Sequence, residues 1–391
     1  MYPAAGSETE AEVESVDVQL TIWRSRGGRP PQGWEDERPD RYAARVDGWA
    51  RYHLESAASE PRVLRLLDYA SAMGREPMEL DALAFSAYQG GPWSDSSTRL
   101  VEAVGDTGEV LPSKRVGNGN EIAVDVPPGT RTVSLRYRFR VPRRYWPLGC
   151  VRNRCALSGG LAPLPSESAH GGVYLPEQGR VVAPVTWRLD SVRFGDVPDW
   201  VPGTDPTPQQ AKKLKGDEII VTELDGMARD RHGYPSVFWG KTWRRHHFVY
   251  QGVDVHVLYM DRRPAAKYPH ETKLQYRADV AGNLDAIARE TIDAAYELGL
   301  RPPAGADMYL VQGPLRSDVA QGHPTAVMVS DEYLNVLPVR PARRFHHEQI
   351  ARAILDHLSL SYFTPHQDAS ERLWVAGAVA YGLMRAWQAK R

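Results

Sequence analysis

The chain has 391 residues, a formal net charge of −1 and an apolar share of 42%. That length suggests two or three domains, each with a core of ordinary size, and the near-zero charge argues against a broad nucleic-acid or acidic-membrane footprint. No apolar run approaches the ~20 residues that cross a bilayer as a helix, so neither a nucleic-acid partner nor a transmembrane segment is expected.

Met1 to Glu14 is polar and acidic, unlike a signal peptide. Val16 to Ile22 alternates apolar and polar residues and predicts a half-buried strand. Gly27-Gly28-Arg29-Pro30-Pro31 is turn punctuation, and Trp34 to Ala50, rich in Arg and Asp, reads as an elaborated loop. Arg62 to Ala70 and Ala82 to Tyr88 are apolar runs, and Glu121 to Val126 ends in the turn signal Pro127-Pro128-Gly129. The clearest strand sets Val133, Leu135, Tyr137, Phe139 and Val141 on one face and Ser134, Arg136, Arg138 and Arg140 on the other. The Arg row is readable as an anion site, but the favoured reading is the solvated outer face of an antiparallel sheet.

Cys150 and Cys155, the two cysteines, are close enough for a small-loop disulfide or a free pair; a zinc site would need two further ligands. The disulfide is favoured, and it implies a compartment outside the cytosol. Short strands follow around Val185 to Leu189, Glu218 to Thr222 and Phe248 to Tyr259. This density of strands and turns predicts an N-terminal antiparallel β sandwich or saddle over residues 1–245.

The periodicity changes between Lys241 and Asp279. Asn283 is placed to cap a helix from Leu284, with Asp285 in its first turn. Leu284, Ile287, Ala288, Ile292, Ala295 and Tyr296 form its apolar stripe, and Gly299 can end it. Met308 to Val311 and Ala326 to Val329 read as short strands. Phe345 to Arg385 then reads as two helices joined by a short loop.

The first of these helices carries His347-Glu348-Gln349-Ile350-Ala351. In H-E-x-x-H, two His on one helical face bind a zinc ion and the Glu is general base for the metal-bound water. Here the first ligand position and the base are present. The second ligand position is Ala351, which has no donor, and starting the frame at His346 does not repair it.

With this degenerate motif the chain resembles the gluzincin aminopeptidases of the aminopeptidase N type. In that family the third ligand is a Glu inside a pattern like L-W-L-N-E-G-F-A on the next helix. This chain reads Leu373-Trp374-Val375-Ala376-Gly377-Ala378-Val379-Ala380, with Gly377 in the ligand's place. Spacing alone points to Ser370, whose neighbour Glu371 is a fallback ligand. The family's G-x-M-E-N segment, whose Glu binds the substrate amine, corresponds to Thr325 to Ser330, with Met328 kept and Val329 where the Glu would be.

The resemblance implies a multidomain, β + α/β protein. Its N-terminal aminopeptidase-like β domain would span 1–245, and a truncated, degenerate thermolysin-like α/β domain 246–391. The family's later helices, with a transition-state Tyr, have no counterpart before Arg391. Three polar positions replaced by Ala, Gly and Val imply a catalytically inactive, aminopeptidase-like binding or scaffold protein. It would hold no metal or cofactor and have a protein or peptide partner, with Glu348 and His347 as relics. The cysteine pair motivates placing it as the soluble part of an extracytoplasmic or membrane-associated assembly. The competing expectation is an active zinc peptidase using His347, Glu348 as base, and Glu371 or a His from elsewhere.

The remaining candidates read as structural. Adjacent His246 and His247 on a strand face opposite ways. His357, eleven residues after His346, lies ~16 Å along the helix, too far to share a metal. Arg352 and Asp356 form an i, i+4 surface pair, and Arg343 or Arg344 can hold Glu348. A G-x-S-x-G elbow, a phosphate loop and a dinucleotide fingerprint are absent from the sequence.

Overall fold

The structure, a computed structural model, describes residues 9–24, 42–68, 99–116, 121–142, 148–151, 154–158, 161–165, 173–175, 180–182, 186–194, 217–222, 235–241, 243–260, 280–297, 299–315, 319–323, 325–330, 340–358, 381–382 and 385. They fall in two compact units, each built from two stretches of chain: Met1–Arg144 with Gly160–Leu214, and Tyr145–Gly159 with Lys215–Arg391.

The first unit contains β1 (Val13–Arg24), β2 (Tyr42–Leu54), β3 (Arg62–Leu67), β4 (Arg99–Val104), β5 (Ser113–Val116), β6 (Glu121–Val126) and β7 (Thr132–Pro142). After an excursion into the other unit come β10 (Leu164–Pro165), β11 (Val173–Leu175), β12 (Arg180–Val182) and β13 (Thr186–Phe194). They form a five-stranded sheet in the order β13-β1-β2-β7-β4, a four-stranded sheet β10-β3-β6-β5 and a two-stranded ribbon β11-β12. The expected β sandwich fits this unit loosely, and the β1–β13 pair is parallel.

The stretch read as a loop, Trp34 to Ala50, is from Tyr42 onward the middle strand of the larger sheet. Its alternation is hidden because the inner face carries Ala44, Val46, Gly48 and Ala50, small residues with a weak hydrophobic signal. Tyr137 on β7 pairs with Gly48, and its ring occupies the space a side chain at Gly48 would need. A Cβ there would lie 2.2 Å from the ring. The Tyr137 hydroxyl donates to the Leu161 carbonyl, and Tyr52 donates to the Pro163 carbonyl at 2.7 Å, so two long side chains of one sheet tie down the segment entering β10 of the other.

The inner row of β7 is buried as its alternation predicts. The outer row is not the solvated face expected. Arg136 and Arg138 reach the carboxylate of Asp47 at 3.3 and 2.8 Å, and their side chains are only 14% and 17% exposed. Charges this enclosed persist because they are paired.

The second unit contains β8 (Leu148–Val151), β9 (Arg154–Ser158), β14 (Asp217–Thr222) and β15 (Ser236–Lys241), ordered β14-β15-β9-β8. A second sheet, β16-β17-β18-β20-β19, is built from β16 (Trp243–Tyr250), β17 (Val253–Met260), β18 (Ala306–Gly313), β19 (Ala320–Gly322) and β20 (Val327–Ser330). Among the described residues this unit also has the helices α1 (Val280–Glu297) and α2 (Arg340–Leu358). One face of the five-stranded sheet, through Val255, Val257, Leu310 and Val329, packs on Leu284, Ile287 and Ile292 of α1 and Ile350, Ile354 and Leu358 of α2. The other face, through Leu258, Val311 and Met328, packs on Ala156, Ile220 and Phe238 of the four-stranded sheet.

This arrangement overturns the thermolysin-like α/β expectation for 246–391. Strands make up 59% of the described residues and helices 18%. The physical reason is that residues 148–158 and 217–241, which read as part of the N-terminal β region, supply a second sheet that covers the far face of the first. The layering is helices on sheet on sheet.

The run Phe248 to Tyr259, expected as one strand, is instead a hairpin: Gln251 and Gly252, both at positive φ (50° and 80°), turn β16 back on β17 through a two-residue connection. Helix α1 starts at Val280, about a turn before the expected cap, so Asn283 lies inside it. Gly299 does end it, at φ 79°. Gly299 and Leu300 N–H groups donate to the Tyr296 and Ala295 carbonyls at 3.0 and 2.9 Å, the pairing of a glycine-terminated helix. Cys150 and Cys155 face each other across β8 and β9 with Cα atoms 4.1 Å apart and form a disulfide.

Two measurements check these contacts. Gly48→Ala is expected to lower unfolding stability by about 1–3 kcal/mol through overpacking against Tyr137, read by urea denaturation; an unchanged midpoint would contradict the contact. Thiol titration of denatured, unreduced protein should find no free thiol, and both cysteines only after reductant.

Candidate functional site

Helix α2 carries the degenerate motif. Its apolar residues Ile350, Ala353, Ile354 and Leu358 fall at helical spacing and seat it on the five-stranded sheet. The same seating turns His347 inward to 2% exposure and buries His346, while Glu348 is half-buried. Burial lowers the pKa of His346. Ala351 packs at the margin of that apolar cluster, and Val329 on β20 lies fully inside it. Thus, of the three positions where the resemblance calls for a polar group, one is filled by a core side chain and one by a partly buried methyl group at the core's margin. The third, Gly377, lies outside the described residues, as do Ser370, Glu371 and Leu373-Trp374.

A catalytic zinc ion needs three protein donors and an open position for water. At the second ligand position Ala351 offers a methyl group instead, so this position does not fit the metal. Among the described residues no group of three or more His, Cys, Asp or Glu side chains is arranged to hold a metal ion.

The histidines outside the motif do different work. His246 and His247 point to opposite faces of β16. His246 meets Asp285 of α1 at 3.2 Å. Asp285 also binds Arg289, whose guanidinium lies 4.5 and 4.7 Å from the ring centres of Phe248 and Tyr250. Burial works against the Asp285 charge, but Arg289 and His246 hold its carboxyl below the usual range.

On the other face His247 stacks on His256 and His256 on Tyr309, each at 4.7 Å between ring centres. Asp254 holds His247 at 3.0 Å and Asp307 holds His256 at 3.2 Å. This three-ring row across β16, β17 and β18 escaped sequence reading. Its signal was the Gln251-Gly252 turn, because a two-residue hairpin there sets His247 opposite His256.

His357, near the end of α2, is buried beside His323, the residue that follows β19. Its Nδ1 donates to the His323 carbonyl at 2.7 Å. Arg352 and Asp356 do approach as the expected i, i+4 pair, at 4.0 Å.

No protein-family model matches the chain, and no curated protein matches it.

Val329→Glu tests the packed position. It would put a carboxylate among Ile350, Ile354 and Leu310, with an expected cost of several kcal/mol. Burial would raise the new carboxyl's pKa, so the loss should be larger at neutral pH than near pH 5. Chemical denaturation at both values reads it; a variant as stable as the parent would show that this position is open.

Proposed function

We propose that the chain is a catalytically inactive protein that works by binding a protein or peptide partner, outside the cytosol. One observation carries this reading: Val329 stands inside the apolar core that seats α2 and Ala351 packs at its margin, where substrate-amine and zinc chemistry would need donors. Kinship with the gluzincin aminopeptidases, part of the same proposal, rests on His347-Glu348, Leu373-Trp374 and Met328 alone. The placement outside the cytosol is supported by the Cys150–Cys155 disulfide, since such bonds persist in oxidising compartments.

Metal analysis of protein purified without chelator is the test. The expected result is far less than one zinc per chain, the same for His347→Ala, and no aminopeptidase turnover. Stoichiometric zinc that disappears in His347→Ala would overturn the proposal in favour of a metallopeptidase with a non-standard ligand set.

A further inference from the structure

We propose that His323 and His357 form an acid-released latch that fastens the C-terminal end of α2 to β19. Three features of the contact support it. The first is the closeness of strand and helix. A Cβ on Gly322 would come within 2.3 Å of the Ala353 carbonyl oxygen and 2.8 Å of the His357 nitrogen, so the strand lies directly on the helix backbone. The second is the bond that closes it, from His357 Nδ1 to the His323 carbonyl. A carbonyl only accepts, so Nδ1 carries a ring proton and donates it across the seam. The third is the His323 ring, 1% exposed, whose Nε2 has no hydrogen-bond partner.

A proton added to either ring would be a buried charge beside another imidazole. Burial, and for His323 also the neighbouring His357, lowers the pKa of each to about 4; the backbone of His323 and of Asp307 offsets this only in part for His357. The surrounding elements offer little compensation. Helix α2 itself contributes Arg352 and Asp356. From β18 comes Asp307, whose carboxylate is engaged with His256. β20 brings Val327 and Val329 to the core shared with this helix, and α1 brings Ala294 and Ala295 against Leu355.

The sign follows from the two states. In the opened seam both rings regain an ordinary pKa near 6.5, while in the closed seam they titrate near 4. Between those values the open state binds more protons, so closure is fully favoured above pH ~6.5 and weakens as pH falls toward 4. Asp356 acts oppositely: burial raises its carboxyl to about 6, so its protonation favours closure in acid. Two imidazoles against one carboxyl leave acid opening as the net result. Opening would uncover Ile350, Ile354 and Leu358 together with the sheet residues they cover.

Amide hydrogen exchange on the full chain, corrected for intrinsic rates, is the experiment. Between about pH 7 and about pH 4.5, protection across Ile350 to Leu358 is expected to fall at least ~10-fold, while Tyr42 to Leu54 keeps its protection. A double variant, His323→Gln with His357→Asn, keeps a donor for the carbonyl but cannot titrate, and it should hold its protection at the lower pH. Equal protection of wild-type α2 at both pH values, or a double variant that opens as the wild type does, would overturn the latch. Should the double variant not fold, histidine NMR titration of the wild-type chain decides. Two rings silent until below about pH 5 support the latch, and ordinary midpoints near 6.5 for all histidines sink it.

Discussion

The second unit is governed by one constraint: its five-stranded sheet is apolar on both faces and must be covered twice. Val255, Val257, Leu310 and Val329 look one way, and Leu258, Val311 and Met328 the other. Helices α1 and α2 cover the first face, and a second sheet, drawn partly from far upstream at residues 148–158, covers the second. A sheet with a single cover would leave a broad apolar surface in water, a liability a stable monomer rarely tolerates.

That constraint also explains how α2 is seated. Burying a Leu or Ile side chain contributes roughly 1.5–3 kcal/mol, and Ile350, Ile354 and Leu358 are all fully buried in this seam. Their spacing fixes the rotation of the helix, and that rotation carries His347 inward. At neighbouring positions a donor would face the desolvation cost of a polar group without a partner, whereas Ala351 and Val329 do not.

The legible parts of the fold are those with strong local signals. β1 and β7 carry bulky alternating side chains, α1 an apolar stripe, and Gly299 its own turn chemistry. β2 was missed because alanine and glycine carry its inner face, and its large counterpart, Tyr137, sits on another strand. The charged row of β7 looked solvated because Asp47, its buried partner, is 89 residues or more away. The second unit was misread for the same reason: β9 pairs with β15 across roughly eighty residues, and no local period encodes such a pairing. In the candidate site, the absence of a donor at Ala351 and Val329 was readable directly. Their burial was not, since it depends on which face of α2 meets the sheet.

The same reasoning separates the two histidine pairs. His247 and His256 lie on a partly exposed strand pair, each with a carboxylate at hydrogen-bond distance. His323 and His357 have been carried into the seam between helix and strand, where a backbone carbonyl is the acceptor and no carboxylate meets His323 Nε2. Identical side chains thus differ in what a proton does to them, and the difference comes from the glycine that lets β19 lie against α2. Any larger residue at Gly322 would hold strand and helix apart and let water reach the pair.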